Sequence, residues 1–433
     1  MAEFSLASFS ADVTIPLNHR CMGLLATKSK KIVDPLFAHG FVLQGAGKPL
    51  VFVSVDWCEI RNGAYDRWRE VLAQAARTIP ERVLVTSIHQ HDAPVTDLGA
   101  ENFLASVGLA GEMFDYAFHE KAVQRIADAL RDSLKSTKPV TQIGTGEGRV
   151  ENIASNRRVI MPDGRVSYGR GSSSGRSKFH REAPVGEIDP MLKTLSFWNG
   201  DKPLLALSVY ATHPMSYYGR GGVSADFPGL AREQRQRALP KVHQIYASGC
   251  SGDVTAGKFN DGTHGSRLKL GRELASGMKR AWEATKKHPL KAIDFRLAKL
   301  ELPFRQEKRF QAVELRKVLE NPNRRVIDRI YAAMSLSSRH RVMEGNPIDF
   351  PCLDFGPAQL VLFPGESFVG YQLMAQRMNP DKFVMSVGYG ECWPGYIPTK
   401  KAFDDNFEDK WLWVPPGCEP RIQRALKEVL AVS

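Results

Sequence analysis

Two histidines close an apolar run: Val83 to Ile88 leads straight into His89-Gln90-His91-Asp92. A run of this kind reads as a buried strand. Residues two apart on a strand face the same side, so His89 and His91 would look into one space. Neutral imidazole is the commonest metal ligand in proteins; a pair of loop histidines that only hydrogen-bond is the plainer alternative. The pattern recurs along the chain. Leu204 to Tyr210 runs into Ala211-Thr212-His213-Pro214, and Gln244 to Ala247 runs into a turn holding Asp253 and Thr255. Gln359 to Phe363 runs into Pro364-Gly365-Glu366, and Phe383 to Val387 into a glycine-rich loop with Glu391, Trp393 and Tyr396. Two histidines and a carboxylate from separate strands are the ligand set of a catalytic zinc site that keeps a position open for water. The metal lowers the pKa of that water to about 7, and the remaining polar groups can orient substrate or take up charge on a tetrahedral oxygen. Each exit also has a plain reading. His213 before proline suits a turn, Glu366 suits a helix N-terminus, Gly249 to Thr255 suits an amide nest, and Tyr396 suits a packed aromatic. One shared site explains all five exits together.

The elements that must position these residues alternate. Leu50 to Asp56 and Val83 to Ile88 read as strands, with helical spacing over Ala64 to Ala75 and Phe114 to Leu134. Such alternation predicts an α/β architecture, a layered mixed sheet flanked by helices, whose ligands sit outside the carboxyl ends of the strands. Residues 1–433 read as one large catalytic domain with no repeat at a fixed period. Within it, 305–342 is helical in pattern, broken near Asn321-Pro322-Asn323, and reads as an inserted helical hairpin. Tyr168 to Arg176 is rich in Gly, Ser and Arg, a loop of the kind that is functional or disordered.

Composition narrows the class. The apolar fraction of 43% is that of a globular chain, and no apolar stretch approaches the roughly 20 residues of a membrane span. The formal charge of +12 gathers in Arg157 to Arg181 and Arg305 to Arg341. This points to an anionic substrate or to a solvated basic surface; no nucleic-acid motif accompanies it. The six cysteines, Cys21, Cys58, Cys250, Cys352, Cys392 and Cys418, show no Cys-x-x-Cys spacing, which argues against a cysteine zinc site and for buried free thiols. No leader is visible at the N-terminus. The expected compartment is cytoplasmic if the sequence is complete, and secreted or periplasmic if a leader was removed. Oligomeric state is not readable.

These motifs, in this order, resemble the neutral/alkaline ceramidases, zinc-dependent amidases that split ceramide into sphingosine and fatty acid. Ala11-Asp12-Val13-Thr14-Ile15-Pro16-Leu17 opens the resemblance, and Ser87-Ile88-His89-Gln90-His91 is similar to the family's Thr-His-Thr-His. Ala211-Thr212-His213-Pro214, Ser224-Ala225-Asp226-Phe227-Pro228-Gly229, Gly252-Asp253-Val254-Thr255, Pro364-Gly365-Glu366 and Gly395-Tyr396-Ile397-Pro398-Thr399 follow. The resemblance implies a catalytic domain without the family's C-terminal immunoglobulin-like domain. It implies zinc ligation by His89, His213, Glu366 and Tyr396, with His91, Arg157 and Thr255 catalytic. It implies substrate contacts at Asn156, to which Asp253 and Trp393 are added from the strand exits. The departures lie in the substrate shell. Thr255 replaces a serine, Ala256-Gly257 a Pro-Asn, and Phe407 before Glu408 a substrate-holding tyrosine.

The expected function is therefore a zinc hydrolase in which activated water attacks an amide carbonyl of a small-molecule or lipid substrate. One zinc ion is expected; Asp56, Asp92, Asp226 and Asp253 leave room for a second. A soluble amide, ester or sugar-derived substrate is an alternative to ceramide, because the site-proximal loops are polar and basic. A metal-dependent phosphoesterase and a non-catalytic binder of an anionic ligand are the alternatives from other classes.

Overall fold

The computed structural model describes residues 4–175 and 177–432; Arg176 of the Gly/Ser/Arg loop, and the rest of the 1–433 span, lie outside them. The α/β class holds, but the expected sheet is three sheets, each mixed and each built by the same chain path. In the first, Phe4–Asp12, Phe37–Gln44 and Leu50–Val55 form an antiparallel meander. The helix Asn62–Ala76 then crosses to Val83–Ser87, which lies parallel to Leu50–Val55. In the second, Gln142–Arg149, Met191–Asn199 and Lys202–Tyr210 meander, and Asp226–Ala238 crosses to the parallel strand His243–Ser248. In the third, Asp294–Leu300, Ile348–Asp354 and Ala358–Leu362 meander, and Val369–Met378 crosses to Phe383–Val387. A further helix follows each fourth strand: Tyr116–Ser133, His264–Glu283 and Cys418–Leu430. The first two lead into short strands that close back on the first strand of their sheet.

Hydrophobic burial dictates how the units assemble. The parallel strands are apolar on both faces, and Leu50–Val55 and Val83–Ser87 are buried throughout, as strands covered on two sides must be. One face meets helices. Trp57 and Trp68 pack edge to face at 5.3 Å beneath the helices of the first unit. The other face meets the other two sheets: Phe41, Phe52, Phe197, Leu207, Leu360 and Met385 share one core. With each large side chain contributing about 1.5–3 kcal/mol on burial, this inter-sheet core fixes the relative placement of the strand ends. At those ends a closed ring of hydrogen bonds ties the units together. Thr86 Oγ1 donates to Gly388 O at 2.7 Å, Gly388 N to Ser248 O at 2.8 Å, and Ser248 Oγ to Ile88 O at 2.8 Å. A Cβ on Gly388 would stand 2.8 Å from the carbonyl oxygen of Gly249, so the close approach of these two exits requires glycine.

In all three units the segment after the first strand emerges at the same end as the parallel-strand exits. These segments are 13–36, 150–190 and 301–347. The third holds the helices Ala312–Glu320 and Val326–Met343. The second of these buries Ile330, Ala333, Met334 and Ser338, and its Ser335 accepts from Trp413 Nε1 at 2.8 Å, so it is part of the core of the third unit. All six cysteines are buried free thiols, and no helix among the described residues is long and apolar enough to cross a membrane.

One buried histidine in the first of these segments makes stability pH-dependent. His19 Nδ1 lies 2.7 Å from Arg20 O, so its Nε2 accepts the Asp115 N–H at 3.0 Å, at the N-cap of Tyr116–Ser133. Burial, opposed by the Arg20 carbonyl, pushes its pKa down to about 4 from 6.5. Between these values the unfolded chain binds a proton that the folded chain refuses. The stability from neutral His19 is thus complete above pH 6.5 and is lost as pH falls through 4. Urea unfolding should show His19→Gln losing about 2 kcal/mol less than wild type between pH 7 and pH 5; equal losses would show that His19 does not carry this proton.

Candidate metal centre and active site

The strand exits meet over the centre of the three sheets. The strand Val83–Ser87 stops two residues before His89, whose φ of 69° is left-handed. The pairwise alternation expected of His89 and His91 therefore does not apply; the rings instead stand edge to face at 5.4 Å. A non-glycine residue in this conformation costs of order 1–3 kcal/mol and persists only where its surroundings over-determine it. Tyr389, itself at φ 57° just after the fourth strand of the third unit, stacks on the His89 ring at 4.3 Å. Two equivalent exits thus hold each other in place.

The third-strand exits bring the other ligand candidates. His213 follows Lys202–Tyr210 and bridges Thr255. Glu366 follows Ala358–Leu362 and pairs in parallel with Tyr396. His213 Nε2 lies 2.9 Å and His89 Nε2 3.3 Å from Glu366 Oε2. The far nitrogen of each ring is spoken for: His89 Nδ1 is 3.0 Å from Cys58 O, and His213 Nδ1 is 2.5 Å from Ser251 O. A carbonyl accepts only, so both Nδ1 atoms are the donors. Each Nε2 then faces an anionic oxygen, an arrangement that a proton on the ring or a cation between the two stabilises. Backbone carbonyls that orient ring tautomers in this way are the usual second shell of a histidine-ligated metal. The donor set of two neutral imidazole nitrogens and one carboxylate fits zinc, and the three ligand atoms lie within 4.8 Å of one another.

Glu366 draws positive charge to His89, while burial opposes it on His213 and His91. Burial works against ionised Glu366, yet His89 and His213 outweigh it and hold the carboxyl well below its usual range. His89 is raised although burial opposes it, because Glu366 and Glu59 face it. Burial, with Arg157 adding to it, pushes His213 down to about 4. Burial and the two neighbouring rings lower His91 far below its ordinary value, so His91 stays neutral.

Beside this cluster opens a cavity of about 320 Å³. Met22, Leu24, Met215 and Trp411 give it apolar walls, and His91, Arg157, Ser172 and Asp409 polar ones. His91 Nδ1 and Arg157 Nε have no hydrogen-bond partner among the described residues. Arg157 donates to the Tyr396 hydroxyl at 2.7 Å. Five sequence-predicted residues, His89, His91, Arg157, Glu366 and Tyr396, therefore line one space, and a sixth, His213, stands behind it against Glu366. Four do not. Thr255 Oγ1 donates to Gly171 O at 2.8 Å and accepts from Gly257 N at 3.0 Å, which seats the loop whose Gly171 and Ser172 line the cavity. Asn156 donates to Glu187 O and Asp253, and Asp253 also caps Val369 N at 2.8 Å. Trp393 lines a separate cavity, with Leu302 and Pro347.

Sequence reasoning missed Cys58 and Glu59, at the exit of Leu50–Val55. Cys58 lines the cavity. Glu59 Oε1 stands 3.9 Å from His89 Nδ1, and the Glu59 carboxylate is held by Arg61 at 2.9 Å and Trp411 Nε1 at 2.8 Å. The signal was present, since Asp56-Trp57-Cys58-Glu59 is another apolar run ending in chemistry.

Among solved structures, the fold is similar to neutral ceramidase from Pseudomonas aeruginosa, with a TM-score of 0.71 and 16% identity, covering 100% of this chain and 74% of that one. It is equally similar to a ceramidase complexed with C2, with a TM-score of 0.71 and 15% identity over 100% and 75% of the two chains. No protein-family model and no curated protein matches the sequence. At these identities the likeness is one of fold, and it agrees with the resemblance carried by the histidine, glycine and tyrosine motifs. Over its whole length the chain has the fold of the neutral ceramidases.

Proposed function

We propose that this protein is a ceramidase-like, zinc-dependent hydrolase of N-acyl amides. The observation that carries the reading is the convergence of His89 Nε2, His213 Nε2 and Glu366 Oε2 beside a cavity walled by unpartnered His91 and Arg157 nitrogens. His89, His213 and Glu366 would hold the zinc, with the Tyr396 hydroxyl on the same cavity as a fourth candidate. A bound zinc ion would supply Lewis acidity and make water a nucleophile near neutral pH. The chain's own groups supply the rest. Arg157, fixed by Tyr396, presents a guanidinium where negative charge develops on the carbonyl oxygen, an interaction worth about 10²–10³ in rate when made by a preorganised donor. His91, neutral and with Nδ1 free, can take the proton of the attacking water and give it to the leaving amine. Buried walls keep these charges out of bulk water and strengthen them.

Size and shape bear on the substrate. A cavity of about 320 Å³ is at the low end of small-molecule sites and suits an amide with one short substituent. A groove of about 530 Å³ shares Leu24 and Lys410 with it and continues between Phe310, Leu315, Val318 and Tyr331. This adjacency supports an acyl chain as the second arm. A panel of N-acyl amines of increasing chain length, with sugar esters and lactones beside it, tests the reading. Hydrolysis should centre on the N-acyl compounds. Val318→Trp, in the wall of the groove and not of the cavity, should lower kcat/KM about tenfold for long chains while sparing N-acetyl substrates. Turnover of esters or lactones alone would defeat the assignment.

A further inference from the structure

A catalytic imidazole is ordinarily aimed by a hydrogen bond to one of its nitrogens. His89 and His213 are each fixed in this way, through Nδ1, by a backbone carbonyl. His91 Nδ1 has no hydrogen-bond partner among the described residues. The neighbours of the His91 ring are instead three other rings: His89 at 5.4 Å, His213 at 6.1 Å and Tyr218 at 4.6 Å, all edge to face. Tyr218 is the nearest, and the one of the three outside the ligand set. It lines the same cavity as His91 and Arg157. Tyr218 is itself tied down on both sides. Before it, Arg267 donates to Tyr217 O at 2.7 Å and lies over the Tyr217 ring at 3.7 Å. After it, Gly219 N donates to Asp92 Oδ1 at 2.9 Å. Asp92 follows His91 in the chain, so the segment that carries the imidazole also seats the ring packed on it.

We infer that Tyr218 is a positioning residue, whose ring holds the His91 imidazole in the orientation from which it exchanges protons with the attacking water and the leaving amine. Edge-to-face ring pairs are directional and are worth about 0.5–1.5 kcal/mol beyond the area they bury. That is enough to favour one ring orientation severalfold over its alternatives. Aim matters because a proton carrier works only within hydrogen-bond reach of the proton it moves, and a misplacement of about 1 Å can cost about 10² in rate. The catalytic consequence rests on the hydrolase reading; the hold of Tyr218 on His91 does not.

Two substitutions test the inference. Tyr218→Leu keeps an apolar side chain on the cavity wall and removes the flat ring edge. On the best N-acyl substrate its kcat should fall about 10–100-fold, with a smaller change in KM and with the metal content of wild type. Tyr218→Phe keeps the ring and should restore most of the lost kcat. Crystals of Tyr218→Leu should show the His91 ring turned, or spread over two orientations, with His89 and His213 in place. An unchanged kcat in Tyr218→Leu, or an equal fall in Tyr218→Phe, would overturn the proposal. So would loss of metal from Tyr218→Leu, which would make the effect one on the ligand set, or a His91 ring that has not moved in its crystals. If wild type hydrolyses no N-acyl amide, the hydrolase reading fails, and the crystals still decide whether Tyr218 holds His91.

Discussion

His213→Ala should strip the protein of its metal and lower kcat/KM by more than the roughly 10–100-fold that loss of a second-shell partner costs. His213 is fully buried, and its two nitrogens are committed to Ser251 O and to Glu366. Alanine removes a donor that no neighbour can replace. The Tyr389 hydroxyl, 3.5 Å from His213 Nδ1, is already engaged with Ser251 at 2.7 Å. The Glu366 carboxylate is then left buried with His89 as its main counterpart, and His89 alone cannot hold zinc. Metal content by mass spectrometry and kcat/KM on the best N-acyl substrate check the expectation together. A variant that keeps one equivalent of zinc and near-wild-type turnover would place the metal elsewhere.

Arg61→Ala should destabilise the fold by about 3–5 kcal/mol, the cost of breaking a buried ion pair by removing one partner. Arg61, Glu59 and Asp97 are each 0% exposed. Arg61 bonds Glu59 at 2.9 Å, stands 3.7 Å from Asp97, and lies over the Trp413 ring at 4.2 Å. Its removal strands two carboxylates in the interior and frees Glu59, which faces His89. Zinc affinity should therefore fall along with stability. Urea unfolding measures the first effect and competition with a chelator the second. A loss under about 1 kcal/mol would mean that the network relaxes around the gap.

How much of this was legible in the residues follows from what each type of signal encodes. Apolar runs ending in polar groups located the parallel strands, because doubly covered strands must be apolar on both faces. The threefold repetition of the unit was hidden. The segments after the first strands, 13–36, 150–190 and 301–347, differ in length and kind, so no fixed period survives. First strands such as Phe4–Asp12, with Ser5, Ser8 and Ser10 divided between its two faces, carry little contrast. The histidine–carboxylate cluster was legible because its residue types are scarce and their exits recur. The shell behind it was not. Residue identity does not say whether the Thr255 hydroxyl faces substrate or keys Gly171, nor whether Asp253 meets a ligand or caps Val369. The His89 geometry also escaped pattern reasoning, since its left-handed backbone is set by packing against Tyr389, a residue 300 positions away in the chain.

The central claim is that three strand exits meet to bind one zinc ion where an amide is hydrolysed. Anomalous diffraction across the zinc edge, on crystals of the protein as purified, tests it most directly. The account predicts one strong peak bounded by His89 Nε2, His213 Nε2 and the Glu366 carboxylate, at zinc–ligand distances of about 2.0–2.2 Å. A crystal with no peak there, or with its only peak at another site, would contradict it.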